Sequence, residues 1–305
     1  MELKELEYIV AIADEGSINR AADALYMAQS SLSQFLSRYE TELGTKLFFR
    51  TSGGVRPTPS GTLFLKNARS MLQQYHTVKN QLRELQAPLD GTINFGISTY
   101  RGVYLLPKVL CQFKQKAPTV DVIIHEHNSI HLQKMVSAGE LDLALVAFLR
   151  EQLPAGAKYV MQDEVLLAAS RDHPVLQYVH AGDGGPDRPW VDLKEISHFE
   201  FLLSHRSTLL GSVAKQQFDR IGIEPKCTNQ DLTAPFAAAM ARRGLGLAFT
   251  YRSCIEESRD VIYMSISKER CFVDLALMYP PDGCRSRSVH ALEKMIQTCI
   301  ASDLI

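Results

Sequence analysis

The side chains best placed to do chemistry in this sequence are a run of short hydroxyl and amide groups: Gln29, Ser30, Ser31, Ser33, Gln34 and Ser37, with Arg38 beside them. Leu32, Leu36, Tyr39 and Leu43 recur at steps of four, three and four, which predicts a helix that turns one apolar stripe inward and the polar set outward. An ordinary solvated helix face carries mixed Glu and Lys. A face of small donors and acceptors suits the edges of base pairs, with cations reaching the flanking phosphates. The patterns of covalent chemistry are missing from the sequence: it has no G-x-S-x-G elbow, no P-loop and no H-E-x-x-H helix. Gly244-Leu245-Gly246 lies after a predicted helix and before a strand, the reverse of a dinucleotide fingerprint.

That reading helix needs elements to hold it. Ser17 follows Gly16 and can cap a short helix with Ile18, Ala21, Ala22 and Leu25 inward, and only Tyr26-Met27-Ala28 separates it from Gln29. Two short helices so joined make a helix-turn-helix; the alternative is a helical hairpin packed in a core. Ahead of them, Leu3, Leu6, Ile9, Val10 and Ala13 give a buttressing first helix that Gly16 ends. After Gly44, residues 46–50 and 55–57 read as a hairpin turning at Thr51-Ser52-Gly53-Gly54, the glycines supplying positive φ. Such a hairpin is the wing of a winged helix-turn-helix. Arg50 and Arg56 sit on its strands, either within reach of the sugar-phosphate edge or as plain solvated residues.

The blocks Ser17 to Ala22, Ala28 to Gln34 and Glu40 to Gly44, then Leu47-Phe48, Arg50 and Thr58-Pro59-Ser60-Gly61, resemble the amino-terminal signature of the LysR-type transcriptional regulators. The chain departs from it at Ser30, where the family usually has Pro, and at Gln34, where it often has Arg. The resemblance implies a double-stranded DNA partner.

From Thr58-Pro59, a helix start, Phe64, Ala68, Met71, Tyr75, Val78, Leu82 and Leu85 alternate steps of four and three. Sustained over about three heptads, that spacing predicts a coiled-coil seam. The simplest partner is the same helix of a second subunit, giving a homodimer or homotetramer that sets two reading helices against a two-fold symmetric operator. The alternative is a helix lying along its own chain. Gln86 to Gly91 then breaks the helix.

Beyond it, strands at 92–97, 120–125, 141–146, 164–169, 199–203, 245–249 and 272–278 alternate with helices at 105–116, 130–138, 212–221, 234–242 and 289–301, which predicts a parallel sheet with crossover helices. His180 to Pro189, rich in Gly, Pro and Asp, reads as a surface loop. This region is similar to the same family's effector domain, itself like a periplasmic binding protein. The expected fold is therefore an α/β effector region of two lobes, preceded by an all-α winged helix-turn-helix domain and a long linker helix. The expected division is 1–58, DNA-binding; 59–90, linker and dimerisation helix; 91–305, effector-binding, with lobe one at 91–162 and 270–305 and lobe two at 163–269.

Ligands in open α/β sheets sit beyond the carboxyl ends of strands, by helix amino-termini. The candidate loops are Ser98-Thr99-Tyr100-Arg101, Asn128-Ser129, Ala147-Phe148, and Ser204-His205 with Ser207-Thr208. Hydroxyls at helix starts in facing lobes suit a small anion, with Arg101 or His205 as countercharge. Each hydroxyl taken singly also reads as a helix cap. Peroxide-sensing members of the family carry a reactive cysteine in the stretch matching His205 to Leu210, where this chain has Ser207 and Thr208.

Composition bounds the rest. The chain has 305 residues, 46% hydrophobic and 22% charged, enough for about two globular domains. The net charge of −1 gives no nucleic-acid signal, and the first 58 residues hold six Lys or Arg against eight Asp or Glu. The distribution matters more, since phosphate neutralisation is local. Scattered cysteines without a C-x-x-C pair read as reduced thiols, and the absence of a signal or a membrane-length apolar run predicts a cytoplasmic protein with no membrane partner. His125, His127 and His131 with Glu126 are the one cluster with a metal look; with no further ligand apparent, no metal and no cofactor is expected. Two other readings stay open: a cytoplasmic solute-binding module dimerised by its amino-terminal helices, and an enzyme on the two-lobed fold, for which no nucleophile and base can be named.

Overall fold

The computed structural model describes residues 2–51, 53–86, 89–150, 152–181, 189–256, 258–281 and 286–303, and of 83–86 and 301–303 the backbone alone. Helices α1 (Leu3–Glu15), α2 (Ile18–Ala24) and α3 (Gln29–Leu43) are followed by a hairpin of β1 (Phe48–Thr51) and β2 (Gly54–Pro57). Ile9, Ile12, Ile18, Ala21, Leu32, Phe35, Leu36 and Tyr39 close one core with Leu47, Phe48 and Val55 of the hairpin. The stripe of α3 is thus wider than its heptad spacing implied. Phe35 packs edge-on to Tyr8, while Leu43, in the last turn, is exposed. Gly16 ends α1 in the left-handed region, but Ser17 makes no side-chain cap to α2. The carbonyl of Gly16 instead accepts the Val55 N–H at 2.8 Å, pinning the hairpin to the α1–α2 junction. Gly54 is required there twice over: its φ is 126°, and a Cβ would stand 2.1 Å from that carbonyl oxygen.

Thr58 caps the long helix α4 (Pro59–Gln86), its Oγ1 accepting the Gly61 N–H at 2.9 Å. The helix does lie along its own chain: its first turns pack Phe64 and Leu65 on the amino-terminal core, and from Arg69 on polar groups tie it down. Arg69 bridges Asp14 of α1 and Glu140 (3.0 Å), Gln73 donates to Asp142, and Asn80 Nδ2 donates to the Thr92 carbonyl at 2.8 Å.

The remaining elements are β3 (Gly91–Ile97), α5 (Thr99–Lys116), β4 (Val120–Glu126), α6 (Ser129–Ser137), β5 (Leu143–Leu149), β6 (Lys158–Ser170), β7 (Trp190–Val191), α7 (Leu193–Ile196), β8 (Phe201–Ser204), α8 (Leu209–Ile221), β9 (Asn229–Leu232), α9 (Ala234–Arg242), β10 (Leu247–Tyr251), β11 (Val261–Ile266), β12 (Cys271–Met278) and α10 (Arg287–Asp303). They form one curled sheet in the order β4-β3-β5-β12-β6-β10-β8-β9, with β11 on β6 and β7 on β11. Of the expected loop at 180–189, residues 182–188 lie outside the described residues; at its edge His180 and Trp190 exchange backbone hydrogen bonds.

The sheet is mixed, not parallel. Strands β3, β4 and β5 run parallel to one another, as do β8, β9 and β10, but β12 is antiparallel to β5 and to β6, and β6 is antiparallel to β10 and β11. The thirteen-residue β6 explains this. Its first half pairs with β12 and its second with β10 and β11, so it carries the chain from one half of the domain to the other, and β12 carries it back. Strands that cross between lobes run against those that build each lobe. Lys158, Gln162 and Asp163 interrupt the apolar run in the first half of β6, so its sequence does not read as a strand there. A single buried cluster, from Phe95 and Phe113 to Phe201, Phe218 and Phe249, runs through both halves.

Candidate nucleic-acid interface and ligand loops

The polar face of α3 is open. Gln29, Ser30, Ser31, Gln34, Ser37 and Arg38 are exposed and Ser33 is half-buried, with no buried layer over them. Arg38 pairs loosely with Glu42 one turn on, at 3.6 Å, a solvent-exposed contact worth little. Cross-strand pairing sets Arg50 opposite Val55 and Phe49 opposite Arg56, so the two arginines leave opposite faces of the hairpin. Arg50 leans toward the reading helix, its Nη2 3.3 Å from Ser33 Oγ, whereas Arg56 shares the outer face with exposed Phe49.

One residue that positions this surface escaped the sequence reading. Glu40 is buried, and its Oε1 accepts the N–H groups of Leu47 (2.8 Å) and Phe48 (3.2 Å) while Oε2 meets Lys46 Nζ at 2.7 Å. A carboxylate capping the start of the hairpin fixes the wing to α3. In sequence it looked like one more helix-surface acid; the sign would have been its position on the same face as Leu36 and Tyr39.

Along α4 the expected seam divides. Ala68 is buried and Phe64 packs edge-on to Tyr39 against the chain's own amino-terminal core, because the first turns of α4 lie against α1. Met71, Tyr75, Val78 and Leu82 remain exposed at 44, 46, 52 and 59%. The side chain of Leu85 lies outside the described residues.

In the two-lobed region the residues expected in the first loop stand in a helix. Helix α5 begins at Thr99, directly after Ser98, which makes no side-chain cap. Tyr100 and Arg101 therefore point from its first turn into the body of the protein. Arg101 is not free to serve as a ligand's countercharge: its Nη2 and Nε stand 2.9 and 3.2 Å from Asp163 Oδ2, and its guanidinium lies 3.7 Å over the Tyr251 ring. Burial works against this cation, but Tyr251 and Asp163 more than offset it and raise its pKa. Asp163 also accepts from Ser253 N–H (3.0 Å) and Ser253 Oγ (2.7 Å). Tyr100 shares a buried hydrogen bond with Thr250 at 2.5 Å, and burial raises its pKa. This face of α5 thus ties lobe one to β6, β10 and the turn after β10.

The other loops are structured by capping. Asn128 Oδ1 accepts the His131 N–H at 2.9 Å, and Thr208 Oγ1 accepts the Gly211 N–H at 3.1 Å while donating to the His205 carbonyl. His205 Nδ1 takes the Ser207 N–H (3.1 Å) and meets Ser207 Oγ at 2.6 Å, with Nε2 3.8 Å from Asp231. Ser129, Phe148 and Ser204 are buried; Thr99, Asn128, His205 and Ser207 are exposed. The rings of His127 and His131 lie 4.4 Å apart, and His125 turns to Asn94. Among the described residues no three or more His, Cys, Asp or Glu are grouped to hold a metal ion, and no helix is long and apolar enough to cross a membrane.

Comparison with known proteins agrees with this architecture. Residues 3–62 match the model of the bacterial regulatory helix-turn-helix proteins of the lysR family, and residues 86–299 match the LysR substrate binding domain. The uncharacterized HTH-type transcriptional regulator YybE of Bacillus subtilis is 26% identical over 248 residues, 81% of this chain and 82% of YybE. A full-length OxyR variant from Pseudomonas aeruginosa superposes with a TM-score of 0.69 at 24% identity, covering 98% of both chains. CbnR, solved with its target DNA, gives 0.64 at 20% identity over 98% of this chain and all (100%) of CbnR; at these identities the two structures speak for the fold alone. With its winged amino-terminal domain, linker helix and curled α/β domain behind them, the chain belongs to the LysR family of transcriptional regulators, which pair a DNA-binding domain with an effector-binding domain and are not enzymes.

Proposed function

We propose that this regulator is a cytoplasmic homodimer or homotetramer that reads a two-fold symmetric operator with Gln29, Ser30, Ser31, Ser33, Gln34, Ser37 and Arg38. Arg50 and Arg56 meet the backbone on either side of the wing. Residues 1–58 form the reading domain, 59–90 the dimerising helix and 91–305 the two-lobed effector domain. The observation that carries the reading is the exposed polar face of α3, with Arg50 leaning onto Ser33, in a chain whose linker helix leaves Met71, Tyr75, Val78 and Leu82 uncovered. An apolar stripe of that length on a helix already docked through its other face suits the same helix of a second copy.

The effector is a small anion bound between the lobes at Ser98, Thr99, Asn128, Ser129, Phe148, Ser204, His205, Ser207 and Thr208. His205 supplies the countercharge that Arg101 does not. Its binding controls the spacing of the reading helices through unequal affinity for two arrangements of the chain. No cysteine stands between His205 and Leu210, so peroxide sensing by a thiol in that turn is not part of this reading.

The test is an anisotropy titration, at stated salt, against the DNA upstream of the protein's own gene and against random duplex. Tighter binding to the former is expected, and equal affinity counts against the proposal. Replacing Arg50 and Arg56 separates it from a solute-binding module: DNA binding should weaken while ligand-induced thermal shifts persist.

A further inference from the structure

A cavity of about 350 Å³ opens between the end of β5, α8 and the turn leading into β12, and shares no lining residue with the loops proposed for the effector. Arg150 comes from the end of β5 in lobe one, Arg220 from α8 in lobe two, and Arg270, with Glu269, from the turn that returns the chain to lobe one. Among the described residues three guanidinium groups and one carboxylate therefore line it. Among the described residues neither Arg150 nor Arg220 has an ion-pair partner, although the chain as a whole is slightly acidic. Like charges converging on a concavity repel one another and raise its potential, which a bound anion relieves. The turn is held in a costly shape: Ser267 and Arg270 both have left-handed backbones, with φ 64° and 60°, and non-glycine residues so held gather at binding sites. Leu149 and Phe272 supply apolar wall.

We infer that this cavity is a second anion site, for a small organic acid with two or more carboxylates, held by Arg150 and Arg220 across the lobes. Planar guanidinium groups match carboxylates two oxygens at a time. The apolar wall accommodates a carbon skeleton, which a bare phosphate lacks. A ligand bridging lobe one to lobe two favours the arrangement in which both arginines reach it, so occupancy selects one lobe arrangement. The inference rests on the reading of the chain as a ligand-controlled regulator, but uses none of the residues proposed for its effector.

Isothermal titration of the full-length protein with citrate, succinate and inorganic phosphate, at constant ionic strength, tests it. Saturable binding of citrate or succinate is expected, weakened about tenfold or more in the Arg150→Gln/Arg220→Gln double variant, since each lost charge-assisted contact is a large fraction of such an affinity. The affinity should persist in a charge-matched Arg243→Gln/Arg259→Gln control. Unchanged binding in the arginine double variant, an equal loss in the control, or no saturable binding by any probe overturns the site. Phosphate binding more tightly than both carboxylates overturns the ligand class. DNA titrations on the same preparations keep failure of the regulator reading distinct from failure of this site.

Discussion

Arg101 Nη2 and Asp163 Oδ2 meet at 2.9 Å with side chains 2% and 0% exposed, a buried ion pair between the first helix of one lobe and the strand that leaves for the other. Removing the cation strands a buried carboxylate, whose remaining partners are the two donors of Ser253. Arg101→Met should destabilise the protein by about 3–5 kcal/mol, as broken buried pairs do. Urea denaturation reads this directly; a midpoint within experimental error of the parent protein would show that the pair contributes nothing to holding the lobes.

The two wing arginines should contribute alike to overall DNA affinity and differ in sequence preference. Arg50→Ala and Arg56→Ala each remove a phosphate-range cation, so each should weaken binding to all sequences and reduce the salt slope by about one unit. Only Arg50→Ala also frees Ser33, and only it should alter preference among operator variants. Titrations at several salt concentrations separate the two effects; an unchanged slope in both variants removes the wing from the interface.

Exposed apolar residues on α4 predict what a charge there would do. Val78→Glu with Leu82→Glu places two carboxylates on the uncovered stripe, at positions 52 and 59% exposed in the single chain. The isolated fold should tolerate them, whereas a paired helix should not. Sedimentation velocity should show a shift to monomer with the far-ultraviolet spectrum retained. A variant that stays dimeric would place the subunit contact elsewhere.

Two histidines give a pH dependence with a definite sign. Burial, then the charge of His127, lowers the pKa of His125 below 6.5, and burial lowers that of His173. The unfolded chain therefore takes up these protons first, so stability rises with pH up to about 6.5 and is lost as pH falls through the depressed folded values. Melting temperatures from pH 5 to 8 should fall on the acid side, and His125→Asn with His173→Asn should flatten that slope. Glu140 and Asp142, both raised by burial, act with the opposite sign, since the folded state holds their protons longer as pH rises.

The sequence by itself determined the parts of this protein whose evidence is local. A helix that buries one stripe must repeat it every three or four residues, so α1, α2, α3 and α4 were legible, as were the glycine that ends α1 and the threonine that caps α4. The reading face of α3 was legible because it lies on one helix and has only to be left uncovered. Only the tertiary structure decided which polar groups are already engaged. Arg101 looked like a ligand's counterion until a carboxylate 62 positions away was found against it, and Glu40 looked like a surface acid until the backbone of the wing was seen to need it. The strand directions of β6 and β12 were hidden for the same reason: crossing between lobes is a long-range relation, and alternation along the chain records only what is buried, not which neighbour buries it.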